Sequence, residues 1–250
     1  MQPSNSYYFF KSALSPKQCK DIIDYGESIF KKNKEQGIPT AATTLGNNAK
    51  QDFTKEVQPL NDKTHEQLKK EGIEDTEKNS YVRDSETCWF NDQWVYDLIW
   101  PFLKMANNLS GWKYDIDFGE DIQFTKYGVK QFYGWHTDGG GCHNRAYKRF
   151  TPGVTKKEEG HQYTENKNLI GKVRKISMTL NLNEPGAYDG GNLKFDFGPH
   201  SGGDRFHECE EIRPQGSIIF FPSYTYHQVT PITRGTRYSL VLWICGKPFR

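Results

Sequence analysis

In the stretch YGWHTDGGG, residues 133–141, a histidine and an aspartate stand one residue apart between aromatics and a run of glycines. Side chains at i and i+2 of an extended strand project from one face, so His136 and Asp138 can reach a single point in space, as a metal ion requires. Alone, the pair equally fits a polar strand end entering a turn. The closing stretch GSIIFFPSYTYHQVTPITRGTRYSLVLWICG answers it: His227 begins a short strand after a strongly apolar one, and Arg237 and Ser239 share a face of the last strand. Two imidazoles and one carboxylate make the facial triad of non-haem Fe(II) centres, with three coordination positions left open. A guanidinium near such a triad suits an anionic co-substrate, because Arg grips a carboxylate through two parallel hydrogen bonds and a serine hydroxyl adds a third. Around Arg237 stand Tyr238, Leu240, Val241, Leu242 and Trp243, a setting in which an unpaired charge is rare.

The elements that must position these residues divide the chain into helices first and strands afterwards. Ser15 as N-cap, Pro16 at the first helical position and Gln18 completing a capping box open an amphipathic helix that ends near Gly37, with Cys19, Ile22, Ile23, Gly26, Ile29 and Phe30 as its apolar stripe. From Pro39 to about Thr87 the chain is polar and weakly periodic, which predicts a long loop with one short helix around His65 to Lys70. Helical spacing returns through Val95, Leu98, Ile99, Phe102, Ala106 and Leu109, and Pro101 is expected to kink or divide that helix. Beyond Gly111 come short β-type runs separated by Gly, Pro and Asn/Asp: KYDIDF, DIQFTKY, KISMTLNL, GGNLKFDF, ECEEIRP, GSIIFFP, HQVTPI and RYSLVLWI. Many short strands in series predict a sandwich or jelly roll, with helices buttressing a sheet in one compact unit.

Bulk properties set the remaining bounds. The 250 residues suffice for one domain with a sizeable core. Lys+Arg 33 against Asp+Glu 31 gives a formal charge of +2, so no overall field points to nucleic acid or an anionic membrane. The 5 cysteines are scattered and form no C-x-x-C pair, which argues against a disulfide framework and a zinc knuckle and predicts reduced, cytosolic thiols. No leader-like start and no apolar run near the ~20 residues of a membrane span are read, so a soluble, unexported, cytoplasmic protein is expected. No heptad or other interface pattern informs the oligomeric state.

With these residues in place the chain resembles the Fe(II)/2-oxoglutarate-dependent dioxygenases, and within them the branch of prolyl 4-hydroxylases and PKHD-type hydroxylases. The resemblance covers roughly Trp112 to Arg250. YGVKQFYGWHTD is similar to the family's tyrosine-glycine stretch running into H-x-D, YDGGNLKF to its turn before a core strand, and FFPSYTYHQVTPITRGTRYSLVLW to its distal segment. There the family places a basic residue about ten positions after the second histidine, as Arg237 follows His227.

The resemblance implies a mainly β fold with N-terminal helices: a double-stranded β-helix (jelly-roll) core over residues 112–250, supported by a helical region and polar loop over 1–111, together one catalytic domain. It implies that His136, Asp138 and His227 hold Fe(II) and that Arg237 pairs with the distal carboxylate of 2-oxoglutarate. Tyr127 matches a tyrosine whose hydroxyl touches that carboxylate, and Thr179 and Ser239 occupy strand positions that could add a hydroxyl. O2 is the further co-substrate and ascorbate an accessory; oxidative decarboxylation to succinate and CO2 would drive hydroxylation of a C–H bond.

The substrate implied is a peptide or protein, at a prolyl residue, with a small metabolite or a nucleic acid left as alternatives. Asp138 keeps the carboxylate that halogenating relatives replace, and Trp243 stands where the nucleic-acid dealkylating branch has a second arginine; both count against those chemistries. A non-catalytic jelly-roll binding module would explain the strands and aromatics and leave the triad and Arg237 as coincidence. A cupin-like metal centre without 2-oxoglutarate would leave Arg237 alone unexplained. Outside this set, His143 and His161 read as solvated loop histidines, His200 and His207 as bracketing a hairpin at SGGD with neither assigned to the metal, Arg234 as a solvated turn residue, and Arg145 to Lys175 as a solvated lid.

Overall fold

The computed structural model describes residues 5–46, 80–138, 145–158, 161–198 and 205–249. Along the chain run β1 (Tyr8–Phe10), α1 (Pro16–Glu35), β2 (Ala41–Gly46), β3 (Ser80–Phe90), α2 (Gln93–Leu109), β4 (Phe118–Gly119), β5 (Ile122–Tyr127) and β6 (Phe132–His136). Then follow β7 (Lys148–Arg149), β8 (Tyr163–Thr164), β9 (Val173–Asn181), β10 (Tyr188–Gly190), β11 (Leu193–Asp196), β12 (Phe206–Glu208), β13 (Ile218–Pro222), β14 (Tyr226–Val229), β15 (Ile232–Gly235) and β16 (Arg237–Gly246).

Twelve strands form one antiparallel sheet in the order β1-β13-β9-β16-β5-β3-β6-β14-β11-β12, with β2 added to β3 and β4 to β16. The sheet curls. β13 and β11 lie far apart in that order, yet Phe221 of β13 meets Phe195 of β11 edge-on at 5.1 Å. Alternation along the strands makes the curl two-faced: Ile176, Met178, Leu180, Leu240, Leu242 and Ile244 turn outward into the core shared with both helices. The alternate positions Ser177, Thr179, Arg237 and Ser239 are also buried, but on the concave side.

The helices are fixed by local chemistry and by that outward core. At α1 the capping box is complete: the Gln18 amide donates to Ser15 Oγ at 3.3 Å and the Ser15 amide to Gln18 Oε1 at 2.8 Å. Its stripe of Cys19, Ile22, Gly26 and Phe30 is buried. Gly26 is required by packing, since a Cβ there would sit 2.5 Å from the Phe124 ring of β5. In α2, Val95, Ile99, Leu103 and Ala106 face the same core.

Several sequence expectations change. Pro101 lies inside α2 without dividing it; it and Asp97, whose carbonyl it leaves without an amide partner, are on the exposed face. The expected loop from Pro39 to Thr87 instead contributes β2 and most of β3, while the short helix at His65 to Lys70 falls outside the described residues. β3 was illegible because its inward residues Arg83 and Ser85 are polar, so the apolar alternation that marks a strand is missing. KYDIDF yields only the two-residue β4, and ECEEIRP is the end of β12 followed by a 3₁₀ turn at Glu210–Ile212. The segment read as a solvated lid carries the parallel β7–β8 pair, and its Tyr147 and Leu169 are buried against Cys245.

Candidate metal centre and anion pocket

His136 ends β6 and His227 stands on β14, and the two strands pair antiparallel with these residues directly opposite. Asp138 follows β6 by two residues and is pinned by its amide, which donates to the Ser223 carbonyl at 3.0 Å. The three side chains therefore converge, with one ligand atom of each within 4.8 Å of the others. Asp138 Oδ1 is 3.6 Å from His136 Nε2, and Oδ2 is 3.7 Å from His227 Nε2.

Both imidazole tautomers follow from their outer contacts. His136 Nδ1 lies 2.7 Å from the Gly134 carbonyl and His227 Nδ1 2.9 Å from the Thr225 carbonyl. A carbonyl only accepts, so each Nδ1 carries a proton and each Nε2 is the nitrogen that faces the shared point. Tyr133 stacks on His136 at 3.5 Å between ring centroids, and Phe221 meets His227 edge-on at 4.6 Å, which locks both rings. Burial and the neighbouring His136 push the His227 pKa down to about 4, so that ring is neutral and able to ligate at pH 7. Burial alone would raise the Asp138 carboxyl, but His227, His136 and Arg174 together hold it well below the usual carboxylate range. Two imidazole nitrogens and one carboxylate oxygen fit a divalent transition metal such as Fe(II).

A second feature lies deeper on the concave face. Arg237 is 1% exposed, and its guanidinium gives Nη1 to Ser239 Oγ at 3.0 Å while Nε and Nη2 are buried without an acceptor. Tyr127 stands opposite Arg237 across β5 and β16, with the guanidinium carbon 5.5 Å from its ring centre. The Tyr188 hydroxyl is also buried without a partner, and Tyr188 packs with Tyr127, Ile232 and Tyr133. Thr179 is buried on β9, opposite Val241 of β16. A buried cation with two free donors beside unpartnered hydroxyl chemistry is a receptor for a small anion. Arg234, by contrast, is exposed and pairs with Asp189 at 2.6 Å.

Sequence reasoning missed a third layer. Arg174 of β9 is largely buried and forks onto Glu120, with Nε and Nη2 each 2.6 Å from a carboxylate oxygen, while Nη1 donates to the Asp138 carbonyl at 3.1 Å. Tyr147 Oη and Cys245 Sγ also converge on Glu120, at 2.9 and 3.2 Å. The guanidinium lies 4.0 Å over the Trp243 ring. This cluster braces the backbone of a candidate ligand. It had no local signal, because its members come from four separate stretches of chain. Among the other histidines, His207 bonds to Tyr7 Oη at 2.8 Å and His161 lies 3.5 Å from Glu158; neither is at the site. His143 and His200 lie outside the described residues.

A curled β pocket holds two imidazoles, a carboxylate and a buried arginine, a donor set that could hold one metal ion beside a small anion. Residues 122–245 match the model of the 2OG-Fe(II) oxygenase superfamily. The chain's curated relatives carry the PKHD-type name. A PKHD-type hydroxylase of Synechococcus sp. is 42% identical over 69 residues, 28% of each chain, and the PKHD-type hydroxylase YbiX of Escherichia coli O1:K1 / APEC is 31% identical over 121 residues, 48% of this chain and 41% of that one. The chain thus spans less than half the length of the curated relatives it matches.

Among solved structures, the viral collagen prolyl hydroxylase vCPH of Paramecium Bursaria Chlorella virus-1 superposes with a TM-score of 0.52 at 20% identity, covering 97% of both chains. A Pseudomonas putida prolyl-4-hydroxylase gives 0.53 at 18%, covering 96% of this chain and 93% of that one. A Trichoplax adhaerens prolyl hydroxylase in complex with a hypoxia inducible factor peptide fragment gives 0.56 at 11%, covering 96% and 84%. These likenesses are of fold. No described helix is long and apolar enough to cross a membrane.

Proposed function

We propose that the protein is an Fe(II)- and 2-oxoglutarate-dependent dioxygenase of the prolyl 4-hydroxylase type, hydroxylating a C–H bond of an amino-acid residue. The observation that carries this reading is the pairing of the His136, Asp138, His227 triad with Arg237, a guanidinium buried to 1% exposure whose Nε and Nη2 have no acceptor. In this reading His136 and His227 would ligate Fe(II) through Nε2 and Asp138 through its carboxylate. Arg237 receives the distal carboxylate of 2-oxoglutarate on its two free nitrogens, with Tyr127, Ser239 and Thr179 lining the same chamber. Bound Fe(II) would supply the oxidative chemistry with O2, one oxygen atom entering succinate as 2-oxoglutarate loses CO2 and the other entering the hydroxylated C–H bond. The protein's part is to orient the reactants, keep the pocket dry and hold the ligand geometry.

The fold proposed is a double-stranded β-helix from about Trp112 onward, supported by α1 and α2 as one catalytic domain. In favour of one domain, residues of α1, α2, β3, β5, β9, β13 and β16 share a single core. The substrate proposed is a peptide or an amino acid, in keeping with the prolyl hydroxylases whose fold it shares. The test is an anaerobic titration with Fe(II) and then 2-oxoglutarate, read by a visible metal-to-ligand charge-transfer band, followed by succinate assays. The band should form, and His136→Ala and Asp138→Ala should abolish succinate production while circular dichroism stays native. Full succinate production by either variant removes these residues from the metal site.

A further inference from the structure

We propose that the second substrate carries a free carboxylate and that Arg83 receives it. This rests on the co-substrate reading above and extends it from 2-oxoglutarate to the molecule that is hydroxylated.

Arg83 stands on β3 and is 8% exposed. Its guanidinium lies 4.7 Å over the ring of Tyr133, its cross-strand neighbour on β6, and that ring stacks in turn on His136. A buried cation is therefore one aromatic ring away from a triad imidazole. Its Nε donates to Ser85 Oγ at 2.8 Å and its Nη1 reaches Gln123 Oε1 at 3.4 Å, both neutral acceptors. Its Nη2 is buried with no acceptor. Among the described residues no carboxylate forms an ion pair with it.

The charges of the pocket identify what is missing. Arg174 is matched by Glu120. In the proposed complex the distal carboxylate of 2-oxoglutarate matches Arg237, and Asp138 with the proximal carboxylate matches the divalent metal. Of the three arginines Arg174, Arg237 and Arg83, only Arg83 is then left without an opposite charge among the described residues. A buried cation without a counter-charge is costly, so a fold that holds one rigidly, by two hydrogen bonds and a ring, is preorganised for an anion that arrives later. The second substrate is the reactant not yet assigned.

A carboxylate fits better than a phosphate, because one guanidinium with one free nitrogen matches a single negative charge and a phosphate monoester brings nearly two. Only the Tyr133 ring separates Arg83 from His136, so a small carboxylate-bearing substrate can reach both that cation and the triad. This describes the α-carboxylate of an amino acid, either free or at the C-terminus of a peptide.

The experiment uses the anaerobic protein loaded with Fe(II) and 2-oxoglutarate. It titrates the common amino acids, their amides, and short peptides with free or amidated C-termini, reading the shift of the visible band and, in air, succinate release. At least one free acid should shift the band and stimulate succinate. Its amide should bind at least about tenfold more weakly, a difference of about 1.4 kcal/mol, and Arg83→Met should erase that preference while still forming the 2-oxoglutarate band. Response to peptides or to free amino acids alone tells the two sources apart. Amides binding as well as acids, or a 2-oxoglutarate band that no acid perturbs, would overturn the proposal and leave the co-substrate reading intact. If no band forms with 2-oxoglutarate, the co-substrate reading falls instead, and the melting temperature of Arg83→Met still judges Arg83. An unchanged or higher value is expected for a cation held for an absent anion, and a clear fall marks a structural arginine and overturns the proposal.

Discussion

Replacing Arg237 with Met should move two measurements in opposite directions. In the empty protein the guanidinium is enclosed, with a single hydrogen bond to Ser239 and two nitrogens unpartnered. Met removes that bond, a loss of about 1 kcal/mol, and also removes a buried charge whose isolation costs several kcal/mol. The balance favours the variant, and for a chain of this size each kcal/mol is about 2–4 °C in melting temperature, so a rise of a few degrees is expected without ligand. In the complex the sign reverses. Removing one partner of a buried, hydrogen-bonded charge pair costs about 2–5 kcal/mol, which at 1.4 kcal/mol per decade weakens 2-oxoglutarate roughly 30-fold to 4,000-fold. Differential scanning fluorimetry reads the first effect, and anaerobic titration of the Fe(II) protein reads the second. Unchanged 2-oxoglutarate affinity refutes the assignment of Arg237. A falling melting temperature with weakened binding refutes the idea that its charge is unmatched in the empty state.

Other consequences can be checked in the same way. In metal-free protein the His227 pKa lies at about 4, below the unfolded value near 6.5, so the folded state binds fewer protons between these values; stability should therefore fall as pH drops from about 6.5 to 4, and below that the depressed Asp138 carboxyl should extend the loss, as urea melts across pH would show. Glu120→Gln leaves Arg174 without its counter-charge and loosens its hold on the Asp138 carbonyl. A destabilisation of about 3 kcal/mol is expected in urea melts, together with weaker Fe(II) binding by competition with a chelator. Gly191→Ala would place a Cβ 2.5 Å from Ile232 Cδ1 and 3.0 Å from Arg237 Cδ at φ +59°, so 2-oxoglutarate affinity should drop with a stability loss of about 1–3 kcal/mol.

Legibility in the sequence followed the range of the interactions. α1 could be read because its capping box and stripe are local, and β13 and β16 because apolar runs bounded by Gly and Pro mark buried strands. His136 and Asp138 could be read because a strand fixes i and i+2 on one face. The concave side was harder. A polar pocket reverses the pattern that identifies strands, so Arg83 and Ser85 made β3 look like a loop. Glu120, Tyr147, Arg174 and Cys245 meet only through the sheet, and no spacing along the chain announces them. Pro101 does not divide α2, because the exposed face of the helix tolerates the hydrogen bond that the proline removes.

The direct opposition of His136 and His227 across β6 and β14 also sets an order of events during synthesis. The chain is made from its N-terminus, so the H-x-D pair emerges while the residue that completes the donor set is still to be translated. A nascent chain at that stage offers a weak bidentate ligand, and the full chelate appears only after β14 has been added between β6 and β11. Under the proposed function, a redox-active ion is thereby kept from settling on a half-made protein, where it would oxidise its own host. Under that proposal, the pairing of β6 with β14 ties completion of the donor set to completion of the sheet.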